Sequence, residues 1–436
     1  MKLNRRLFLL STTATAAALA ARSNAQTSGN EEEKEDIGKK FFCGEPCLQA
    51  AAPTSMGIAW AVGSLANGWV EFGEKPDLSD ARRVVCGEGA PGITDFDEIA
   101  VRVRLTGLKP NTKYYYRTQT EFVNYIHNYK RKSLQKATGD IHSFTTLGES
   151  GRSHFCVMND THARWVPFSR VTAKIRELAP AVMVWNGDAS NQTEKSETGV
   201  EIFLDPPKST GYCSDIPLLW NNGNHDFRGI WNRSLDRFMM VRIPSERDSR
   251  DWALSRNWAV RQGDIAMIGL DTGEDKPDAH PQFVGLVNSE PYRIAQTQWL
   301  RDQFERPEIK NAPHKVAFCH IPLFDKDPVS NPGDVIGDGN GRYKPDFAVW
   351  QRQCANLWAP FFKENGVKLL IAAHCHNYRF DPATPDRPWA QIVGGGCSES
   401  PTNSYATVIE GRVEDGKLKI TVHNVNAGTI AGEHVF

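Results

Sequence analysis

The most informative feature for the fold of this chain is a series of apolar runs that end on clusters of polar residues. Between residues 154 and 376, five apolar runs predict buried strands, and each stops at a short group rich in Asp, Asn and His. The runs and their ends are FCVMN before Asp160-Thr-His162, VMVWN before Gly187-Asp188, PLLWNN before Gly223-Asn224-His225-Asp226, VAFC before His320, and LLIAA before His374-Cys-His376. Helix-like segments between some of these runs predict strand-helix-strand units.

These polar groups together form a set of metal-ligand side chains. Ligand groups in open sheets gather beyond the carboxyl ends of the strands, so residues that are distant in sequence can converge there. The set has two carboxylates, four imidazoles and one amide oxygen: Asp160, Asp188, His162, His320, His374, His376 and Asn224. Seven donors exceed one tetrahedral zinc and suit two ions that share a bridging carboxylate.

The donor types also restrict the metal and the substrate. Imidazole-rich sites favour Mn, Fe, Co, Ni or Zn over Mg or Ca, so we expect two divalent or mixed-valence transition metal ions, with Fe, Mn or Zn as the candidates. If the histidines are neutral, two divalent ions and two carboxylates leave a net charge of about +2. Such a surplus attracts phosphate.

The region before these motifs has a different pattern. The runs MGIAWAV, GWVEFGE, AVRVRLTGL, TKYYYRTQ and IHSFTTL, separated by Gly, Pro and Asn turns, predict an antiparallel sandwich over residues 40–148. Leu108, Pro110 and Tyr114 resemble the tyrosine corner of fibronectin-type sandwiches. Residues 120–138 are long for a hairpin loop, and their cations are either part of a solvated loop or a basic lip over an anionic substrate. These cations are Lys130, Arg131, Lys132 and Lys136.

The first 39 residues predict export. Residues 1–25 have a basic start, an apolar run and a small-residue cleavage site, and Arg5-Arg6 before Leu-Phe-Leu resembles a twin-arginine signal. A Sec signal that holds two arginines by chance is the alternative. Residues 26–39 are polar and predict a flexible linker. We therefore expect a bacterial periplasmic or secreted protein that uses the twin-arginine export machinery and has no transmembrane segment in its mature form.

Charge and cysteine content narrow the function classes further. The chain has 51 Lys+Arg and 52 Asp+Glu, which gives no case for a nucleic-acid binding surface or general binding to anionic membranes. Its nine cysteines include no CxxC pair, so a thiolate zinc site is not expected. Cys43, Cys47 and Cys86 could hold a disulfide in the first domain, whereas Cys156, Cys319 and Cys375 are expected to be buried thiols.

The motifs DTH, GD, GNHD, a lone His and HxH, in this order, resemble the calcineurin-like metallophosphoesterase superfamily. The preceding region is similar to the N-terminal domain of purple acid phosphatases. The resemblance implies an all-β fibronectin-like sandwich (40–148) followed by an α/β metallophosphoesterase domain (149–436), which is a two-sheet β-sandwich flanked by helices. It also implies two metal sites that share Asp188. The ligands of one are Asp160, His162, Asp188 and His376, and those of the other are Asp188, Asn224, His320 and His374.

The same resemblance assigns the proton chemistry. His225 would be the general acid or stabilise the leaving group, and Asp226 would orient His225 and raise its pKa. Two departures from purple acid phosphatases matter: Asn191 stands where they have an iron-binding tyrosine, and their first motif lacks the histidine seen here as His162. A purple tyrosinate centre is therefore not expected. Ala373 replaces a glycine that is common in the family, which adds one methyl group beside the ligands.

Three arginines and one loop are further candidates for substrate contacts. Arg164, Arg228 and Arg379 each lie within three places of a proposed ligand or acid, and each could bind phosphate oxygens or form an ordinary ion pair. The Gly/Pro/Asp-rich segment 325–346 is too long for a simple connector. It predicts either a substrate-selecting lid or a surface insertion.

Together these features predict an exported dinuclear-metal phosphoesterase that hydrolyses phosphate monoesters by attack of a metal-bound hydroxide. The substrate is expected to be a phosphorylated small molecule. A phosphodiesterase is the near alternative. A surface module that binds glycan or protein, with a structural metal domain, is the alternative from another class. The sequence leaves open the natural substrate, the metal pair and the oligomeric state.

Overall fold

The computed structural model describes residues 40–87, 92–127, 129–243, 254, 256–324 and 347–436. The predicted signal peptide, the predicted linker and the segment 325–346 lie outside these residues. Residues 41–436 cluster as one compact unit. Within the described part of the chain, no helix has the length and apolarity needed to cross a membrane.

The N-terminal region consists of short strands joined by turns. The strands are β1 (Cys47–Gln49), β2 (Ser55–Ala61), β3 (Ala66–Gly73), β4 (Arg82–Val85), β5 (Ala100–Thr106), β6 (Lys113–His127), β7 (Lys130–Thr138) and β8 (His142–Thr145). β1, β2 and β5 lie in one sheet, and β4, β3, β6 and β7 form another, with β8 also paired to β6. The indole N–H of Trp60 in β2 donates to Thr120 Oγ1 in β6 at 2.8 Å and links the two sheets. The predicted all-β sandwich is confirmed.

Tyr114 forms the predicted corner of this sandwich. Its hydroxyl accepts a hydrogen bond at 3.0 Å from the backbone N–H of Lys109, which lies upstream as expected. The ring is buried and packs against Phe72 and Phe144, with ring centroids 6.0 and 5.8 Å away. An aromatic body in the core with a polar tip on the backbone fixes the turn before β6.

The segment 120–138 is a paired hairpin, so the prediction of a long loop was wrong. β6 and β7 pair in antiparallel register from Gln119↔Thr138 to His127↔Lys130. Nearly every residue of β7 is exposed, so its sequence carries no apolar alternation from which a strand could be recognised. The pairing rests on backbone hydrogen bonds, which any residue except proline can make.

The remaining strands and helices alternate along most of the chain. The strands are β9 (His154–Met158), β10 (Val182–Asn186), β11 (Leu218–Asn221), β12 (Trp258–Gln262), β13 (Ile265–Leu270), β14 (His314–Cys319), β15 (Leu369–Ala372), β16 (Arg379–Asp381), β17 (Ala390–Val393), β18 (Thr407–Glu414), β19 (Lys417–Asn424) and β20 (Thr429–Val435). The helices are α1 (Trp165–Leu178), α2 (Ser196–Phe203), α3 (Ser289–Phe304), α4 (Pro307–Lys310) and α5 (Phe347–Glu364). Two 3-10 segments cover His225–Phe227 and Trp231–Arg237.

Two sheets face each other across a buried core. One has the order β20-β19-β18-β9-β10-β11-β1-β2-β5, and the other has the order β12-β13-β14-β15-β17-β16. β9, β10 and β11 are parallel, as are β13, β14, β15 and β17. Phe155 of the first sheet meets Phe318 of the second edge to face, with ring centroids 5.5 Å apart. The predicted two-sheet sandwich is confirmed.

Helices cover the outer faces of both sheets. Phe168 and Ile175 of α1 share a buried cluster with Trp185 of β10. Leu300 of α3 and Trp358 of α5 share another with residues of the second sheet. Apolar side chains spaced along one helix face produce this burial, as the sequence pattern predicts. The carboxyl ends of the parallel strands remain available to carry loops.

The N-terminal strands continue the first sheet of the following region. β1 pairs in parallel with β11 through Gln49↔Leu218, so one nine-stranded sheet runs through both. The Gln49 amide donates to Phe238 O at 3.0 Å and accepts from Met240 N at 2.8 Å. The Tyr116 hydroxyl donates to Ser214 O at 2.7 Å. The domain boundary at residues 148 and 149 stays a prediction.

No disulfide joins the nine cysteines, all of which lie within the described residues. The disulfide considered among Cys43, Cys47 and Cys86 is therefore not formed. The Cys86 sulfur contacts the backbone of Gly68 and Asp95 at 3.3 Å, and the Cys47 sulfur donates to Leu204 O at 3.4 Å. Each of these two thiols thus has its own backbone partners.

The C-terminal hairpin follows its sequence signal. β18 and β19 pair from Thr407↔Asn424 to Glu414↔Lys417, and the two residues between the strands are Asp415 and Gly416. Both have positive φ, 51° and 73°, which a two-residue type I′ turn requires. Asp-Gly is a preferred pair for this turn.

Candidate metal centre

The five polar clusters of the sequence lie at the carboxyl ends of five parallel strands. β9, β10 and β11 of the first sheet are followed by residues 160–162, 187–188 and 223–226. β14 and β15 of the second sheet are followed by residues 320 and 374–376. Since the two sheets stack with these strand ends together, both contribute side chains to one location.

The backbone at this location is in an uncommon conformation. Five of the seven predicted ligands have positive φ: Asp160 (47°), His162 (44°), Asp188 (52°), His374 (66°) and His376 (57°). This left-handed region is disfavoured for residues with a Cβ, and such residues concentrate at functional sites. The sharp turn after each strand directs the side chains toward a common centre.

Gly187 and Gly223 are needed where these turns approach one another. A Cβ at Gly187 would lie 2.5 Å from His320 Nδ1, and one at Gly223 would lie 2.1 Å from Asp188 Oδ1. Gly187 also has φ of 85°. Both positions therefore exclude any larger residue, and both glycines directly precede a proposed ligand in the sequence.

The first group of donors contains Asp160, His162, Asp188 and His376. Ligand atoms of all four lie within 4.8 Å of one another. His376 Nε2 is 3.2 Å from Asp160 Oδ1, and His162 Nε2 is 3.0 Å from His376 Nε2 and 3.6 Å from Asp188 Oδ2. This is the set that the resemblance assigns to one metal.

The second group contains Asp188, His320 and His374, whose ligand atoms also lie within 4.8 Å of one another. His320 Nε2 is 3.2 Å from Asp188 Oδ2. Asn224 Oδ1 is 2.9 Å from His374 Nδ1, which brings the amide oxygen to the same group. Asp188 belongs to both groups. The structure thus gathers all seven predicted ligands, with Asp188 in the shared position.

Two buried atoms in these groups indicate that the donors fit a cation. Asp160 Oδ1 and His320 Nε2 belong to fully buried side chains, and neither atom makes a hydrogen bond. Unpaired polar atoms in a protein interior are costly and therefore rare. Carboxylate and imidazole donors at these distances match the ligands that transition metals prefer. Two such ions would take the place of the imidazole protons that face these carboxylates at 3.2 Å.

The electrostatics of the centre follow from burial and from close opposite charges. Burial alone would raise the pKa of Asp188, but the charge of His320, whose Nε2 is 3.2 Å away, holds that pKa well below its usual value. Burial would lower the pKa of His320, and Asp188 instead raises it to about 10. Burial lowers the pKa of His374 to about 4. The carboxylate of Asp188 is therefore ionised and faces positive charge.

A further layer of hydrogen bonds holds the ligands in place. His320 Nδ1 donates to Asn186 O at 2.8 Å, which leaves Nε2 directed at the centre. Asp188 Oδ1 accepts from the backbone N–H of His225 at 2.9 Å, and Asp160 Oδ2 accepts from that of His374 at 2.9 Å. Backbone donors thus fix one oxygen of each carboxylate and leave the other for the centre.

Asn221 and Asn222, for which the sequence suggested no role, connect strand ends. Asn221 Nδ2 donates to Asn186 Oδ1 at 2.9 Å, and Asn186 Nδ2 in turn donates to Cys319 O at 2.9 Å. Asn222 Oδ1 accepts from the indole of Trp220 at 2.6 Å. The asparagines therefore link the carboxyl ends of strands in both sheets beneath the metal ligands.

Asp226 does not hold the ring of His225, contrary to the expectation from the sequence. Its carboxylate accepts from the backbone N–H groups of Gly223 (2.8 Å), Asp188 (2.8 Å) and Ala189 (3.2 Å). Burial, and next the charge of Asp188, raise its pKa to about 7. The carboxylate of Asp226 reaches the N–H groups of Asp188 and Ala189 because the left-handed backbone at Asp188 directs these two donors inward. Asp226 thus shapes the loop that carries the ligands.

His225 has different partners from those expected. Nδ1 donates to Asn191 O at 2.9 Å, since a carbonyl can only accept, and Nε2 lies 3.0 Å from Arg228 Nη1. Burial lowers the pKa of His225, and the Arg228 charge also lowers it, whereas Asp188 acts in the opposite direction. The sequence-based expectation that the pKa of His225 is raised is therefore wrong, because it is lowered. In the neutral ring, Nε2 is an acceptor at the edge of the centre.

The three candidate arginines have different surroundings. Arg228 binds Glu274 through Nε (3.2 Å) and Nη2 (2.7 Å) and lies beside His225. Arg379 Nε donates to Asp381 at 2.9 Å, which is the ion pair considered as its alternative role. Arg164 is exposed at the start of α1.

The loop after β13 contains residues that the sequence motifs did not reveal. Glu274 and Asp275 contact Arg228, and Lys276 lies 3.6 Å from Glu274. Two acids and two cations make this cluster electrically balanced. The sequence did contain one indication of this loop. The apolar run DIAMIGLD before it ends on polar residues, as the five motif strands do.

Cys397 is a second residue near the centre that the motifs did not reveal. A ligand atom of His162, one of His376 and the Cys397 sulfur all lie within 4.8 Å of one another. Cys397 follows β17 after three glycines, Gly394 to Gly396. Its position after an apolar strand was the only signal in the sequence.

Comparison with known proteins agrees with this geometry. A family model described as calcineurin-like phosphoesterase matches residues 153–378. Among solved structures, a purple acid phosphatase isolated from yellow lupin (Lupinus luteus) seeds matches with a TM-score of 0.60 at 14% identity, covering 90% of this chain and 74% of that chain. No curated protein sequence matches this chain.

Two other solved structures give lower scores. A phosphoesterase from E. coli has a TM-score of 0.29 at 10% identity and covers 64% of this chain and 98% of that chain. A human fibronectin type III domain has a TM-score of 0.18 at 16% identity and covers 29% of this chain and 88% of that chain.

Proposed function

The chain belongs to the calcineurin-like phosphoesterase family, and from this premise we propose that it is an exported dinuclear-metal enzyme that hydrolyses phosphate monoesters. The observation that carries the proposal is the position of Asp188, whose carboxylate belongs to two adjacent groups of metal-ligand atoms. A shared carboxylate between two donor groups is the arrangement that holds two ions close together.

Seven side chains would hold the metals. One ion would be bound by Asp160, His162, Asp188 and His376, and the other by Asp188, Asn224, His320 and His374. Two transition metal ions supply an activated water nucleophile and neutralise charge on the phosphate. Fe, Mn and Zn are the candidate metals, because imidazole and carboxylate donors suit all three.

Charge supports a monoester as the substrate. The cluster of Arg228, Glu274, Asp275 and Lys276 is balanced, so the surplus charge of the centre comes from the ions. A net charge of about +2 attracts the dianion of a monoester more strongly than the monoanion of a diester. A phosphorylated small molecule with one terminal phosphate fits this requirement.

We assign to His225 the proton transfer to the leaving group, which requires the ring to gain a proton on Nε2 when substrate binds. Its Nδ1 proton is engaged by Asn191 O, so only the doubly protonated ring can donate from Nε2. The ring lies next to His162, with centroids 5.1 Å apart, and therefore borders the first donor group. Arg228 lies at the same edge and holds the ring in place through Nη1.

Metal analysis combined with paired aryl esters tests the proposal. We expect about two metal ions per chain and a higher kcat/KM for p-nitrophenyl phosphate than for bis(p-nitrophenyl) phosphate. The reverse preference would select a phosphodiesterase. Failure to hydrolyse either ester with two ions bound would contradict an enzymatic role and favour a binding module with a structural metal domain.

Export by the twin-arginine route is a separate part of the proposal. It rests on Arg5 and Arg6 before the apolar run in the first 25 residues. Replacing both with lysine should retain the chain in the cytoplasm, which fractionation followed by immunoblotting measures. Export that continues unchanged would indicate a Sec signal instead.

A further inference from the structure

Cys397 lies beside the first group of metal ligands without being one of the seven residues assigned to the metals. Its sulfur is within 4.8 Å of ligand atoms of His162 and His376, and the side chain is half-buried. The other cysteine near the site, Cys375, separates His374 from His376 in the sequence and belongs to neither group of donors.

Three glycines bring the backbone of Cys397 close to the ligands. A Cβ at Gly394 would lie 2.1 Å from Asn159 Oδ1, and a Cβ at Gly396 would lie 2.7 Å from His376 Cβ. A Cβ at Gly395 would lie 2.0 Å from Tyr405 O. No side chain fits at any of these positions, so the backbone passes in direct contact with residues that flank the ligands.

Hydrogen bonds then hold this segment against the centre. Asn159 Nδ2 donates both to Gly395 O (2.6 Å) and to Asp160 Oδ2 (2.7 Å), so one amide connects the glycine segment to a metal ligand. On either side of Cys397, Gly396 N donates to Tyr405 O and Ser398 N donates to Ser404 O, both at 3.0 Å. The sulfur is therefore positioned by a fixed backbone.

An independent observation indicates that this location binds a cation. Asp160 Oδ1 is fully buried, makes no hydrogen bond, and lies in the same donor group as His162 and His376. A buried carboxylate oxygen requires a positive partner, and the nearest one, His376 Nε2 at 3.2 Å, is itself a proposed ligand. The Cys397 sulfur thus lies beside His162 and His376, the two imidazoles that share a donor group with this carboxylate.

We propose that Cys397 is a sulfur ligand of the ion held by Asp160, His162, Asp188 and His376. This inference rests on the proposed dinuclear centre. When the metal–sulfur bond forms, the thiol releases its proton to solvent, because the thiolate is the form that binds metals. A thiolate is a soft donor, so it shifts the preference of this position toward Zn or Co and away from Mn or Mg.

Cobalt(II) titration of the metal-free protein tests the proposal. The visible d–d absorption reports cobalt binding at any of the donors, and a near-ultraviolet thiolate-to-cobalt charge-transfer band reports a bond to sulfur. We expect both in the wild-type protein and in Cys375→Ser, the matched control. In Cys397→Ser the d–d absorption should remain and the charge-transfer band should disappear.

The outcomes separate this inference from the proposed function. Visible absorption without a charge-transfer band in the wild-type protein, or a band that persists in Cys397→Ser, would refute the sulfur ligand and leave the dinuclear centre standing. Absence of cobalt binding altogether would refute the proposed metal centre itself. Circular dichroism and thermal unfolding of Cys397→Ser should match the wild type, so that a lost band reports ligation.

Metal selectivity provides a second readout. We expect Cys397→Ser to lose at least about ten-fold in zinc affinity, measured by competition with a chelator, because even changes outside the ligand set cost 10- to 100-fold. Manganese affinity should change by much less, since Mn(II) gains little from a soft donor. Equal losses for both metals would contradict a thiolate ligand.

Discussion

Buried polar groups occur in two regions that differ in how their hydrogen bonds are satisfied. Where the N-terminal strands join β11, Gln49 uses both its amide nitrogen and its amide oxygen, and Tyr116 donates to Ser214 O. At the metal centre, Asp160 Oδ1 and His320 Nε2 are equally buried and make no hydrogen bond. Polar atoms in the first region complete the fold. In the second region their nearest charged partners are other proposed ligands, and we propose that metal ions complete their pairing.

This difference predicts that substitutions in the two regions act on different properties. Loss of a donor at the metal centre should reduce metal binding and turnover. Loss of a polar group at the junction should reduce the free energy of unfolding, because its buried hydrogen-bond partners would lose their only described bond. The metal content should not change, because the junction residues are not among the proposed ligands.

The largest effect is expected for Asp188→Asn, which removes the shared carboxylate. Asparagine keeps an oxygen that can accept from the backbone N–H of His225, so the loop should stay folded. We expect turnover to fall roughly 10³-fold or more. Metal content, measured by inductively coupled plasma mass spectrometry, should fall from about two ions per chain to one or none.

Unfolding of the metal-free protein is the control for this substitution. Measured in the presence of a chelator, Asp188→Asn should be less stable than the wild type near neutral pH, because it leaves the buried imidazole of His320, whose pKa Asp188 raises to about 10, without its charge partner. Turnover that remains unchanged would overturn the enzymatic proposal. Stability equal to that of the wild type would show that Asp188 and His320 do not stabilise each other in the metal-free protein.

The next effect is expected for His225→Ala, which removes the ring at the edge of the centre. For alkyl phosphates, whose leaving groups need a proton, turnover should fall about 10²-fold. For p-nitrophenyl phosphate, whose leaving group is stable as an anion, the loss should be much smaller. Both metals should remain bound, because the substitution leaves all seven ligands in place.

The dependence on the leaving group distinguishes proton transfer from positioning. If His225 only orients the phosphate, the alkyl and aryl esters should lose the same factor. If it donates a proton, the plot of log kcat against leaving-group pKa should be steeper for His225→Ala than for the wild type. Loss of metal in this variant would contradict both roles.

Gln49→Leu tests the junction. Leucine leaves Phe238 O and Met240 N without their partner in a buried position. We expect the free energy of unfolding to fall by about 2 kcal/mol, with metal content and kcat unchanged. Denaturant titration gives the first quantity. Gln298→Leu on the exposed face of α3 is the matched control and should change stability by less than about 0.5 kcal/mol.

The convergence of the proposed ligands could be predicted from sequence because their placement follows from strand order. A polar residue just after a buried strand has one place to go, which is the carboxyl edge of its sheet, and this holds for Asp188 and for His320 alike. The strands of the sandwich and the tyrosine corner at Tyr114 were predictable for a similar reason. Each depends on neighbours within a few residues.

Features that depend on contacts between distant segments could not be predicted. Cys397 approaches His162 only because Gly394 packs on Asn159, a contact that no spacing reveals. Asp226 adjoins His225 in sequence, yet the left-handed turn at Asp188 presents backbone donors to it instead of the ring. The strand β7 gave no signal because its side chains are exposed, and its pairing uses the backbone alone.

The smallest effect is expected at His142, which links β8 to the loop before β11. Its hydrogen bond to Asp215 raises the pKa of His142 against the opposing effect of burial. The stabilisation is therefore complete below the unfolded pKa of about 6.5 and is lost as pH rises through the higher folded value. The same bond lowers the pKa of Asp215, against burial, so the contribution is also lost as that carboxylate protonates in acid.

The thermal stability of His142→Gln should therefore differ most from that of the wild type near pH 5 to 6, by at most about 1 kcal/mol, since Asp215 is largely exposed. At about pH 9 the two should unfold at the same temperature. Measurements in a chelator exclude any contribution from metals, and His127→Gln in the exposed hairpin is the control. If the difference in unfolding temperature between His142→Gln and the wild type stayed constant with pH, the charge of His142 would not contribute to stability. The ring would then contribute through packing against Tyr116, whose ring centroid is 5.7 Å away.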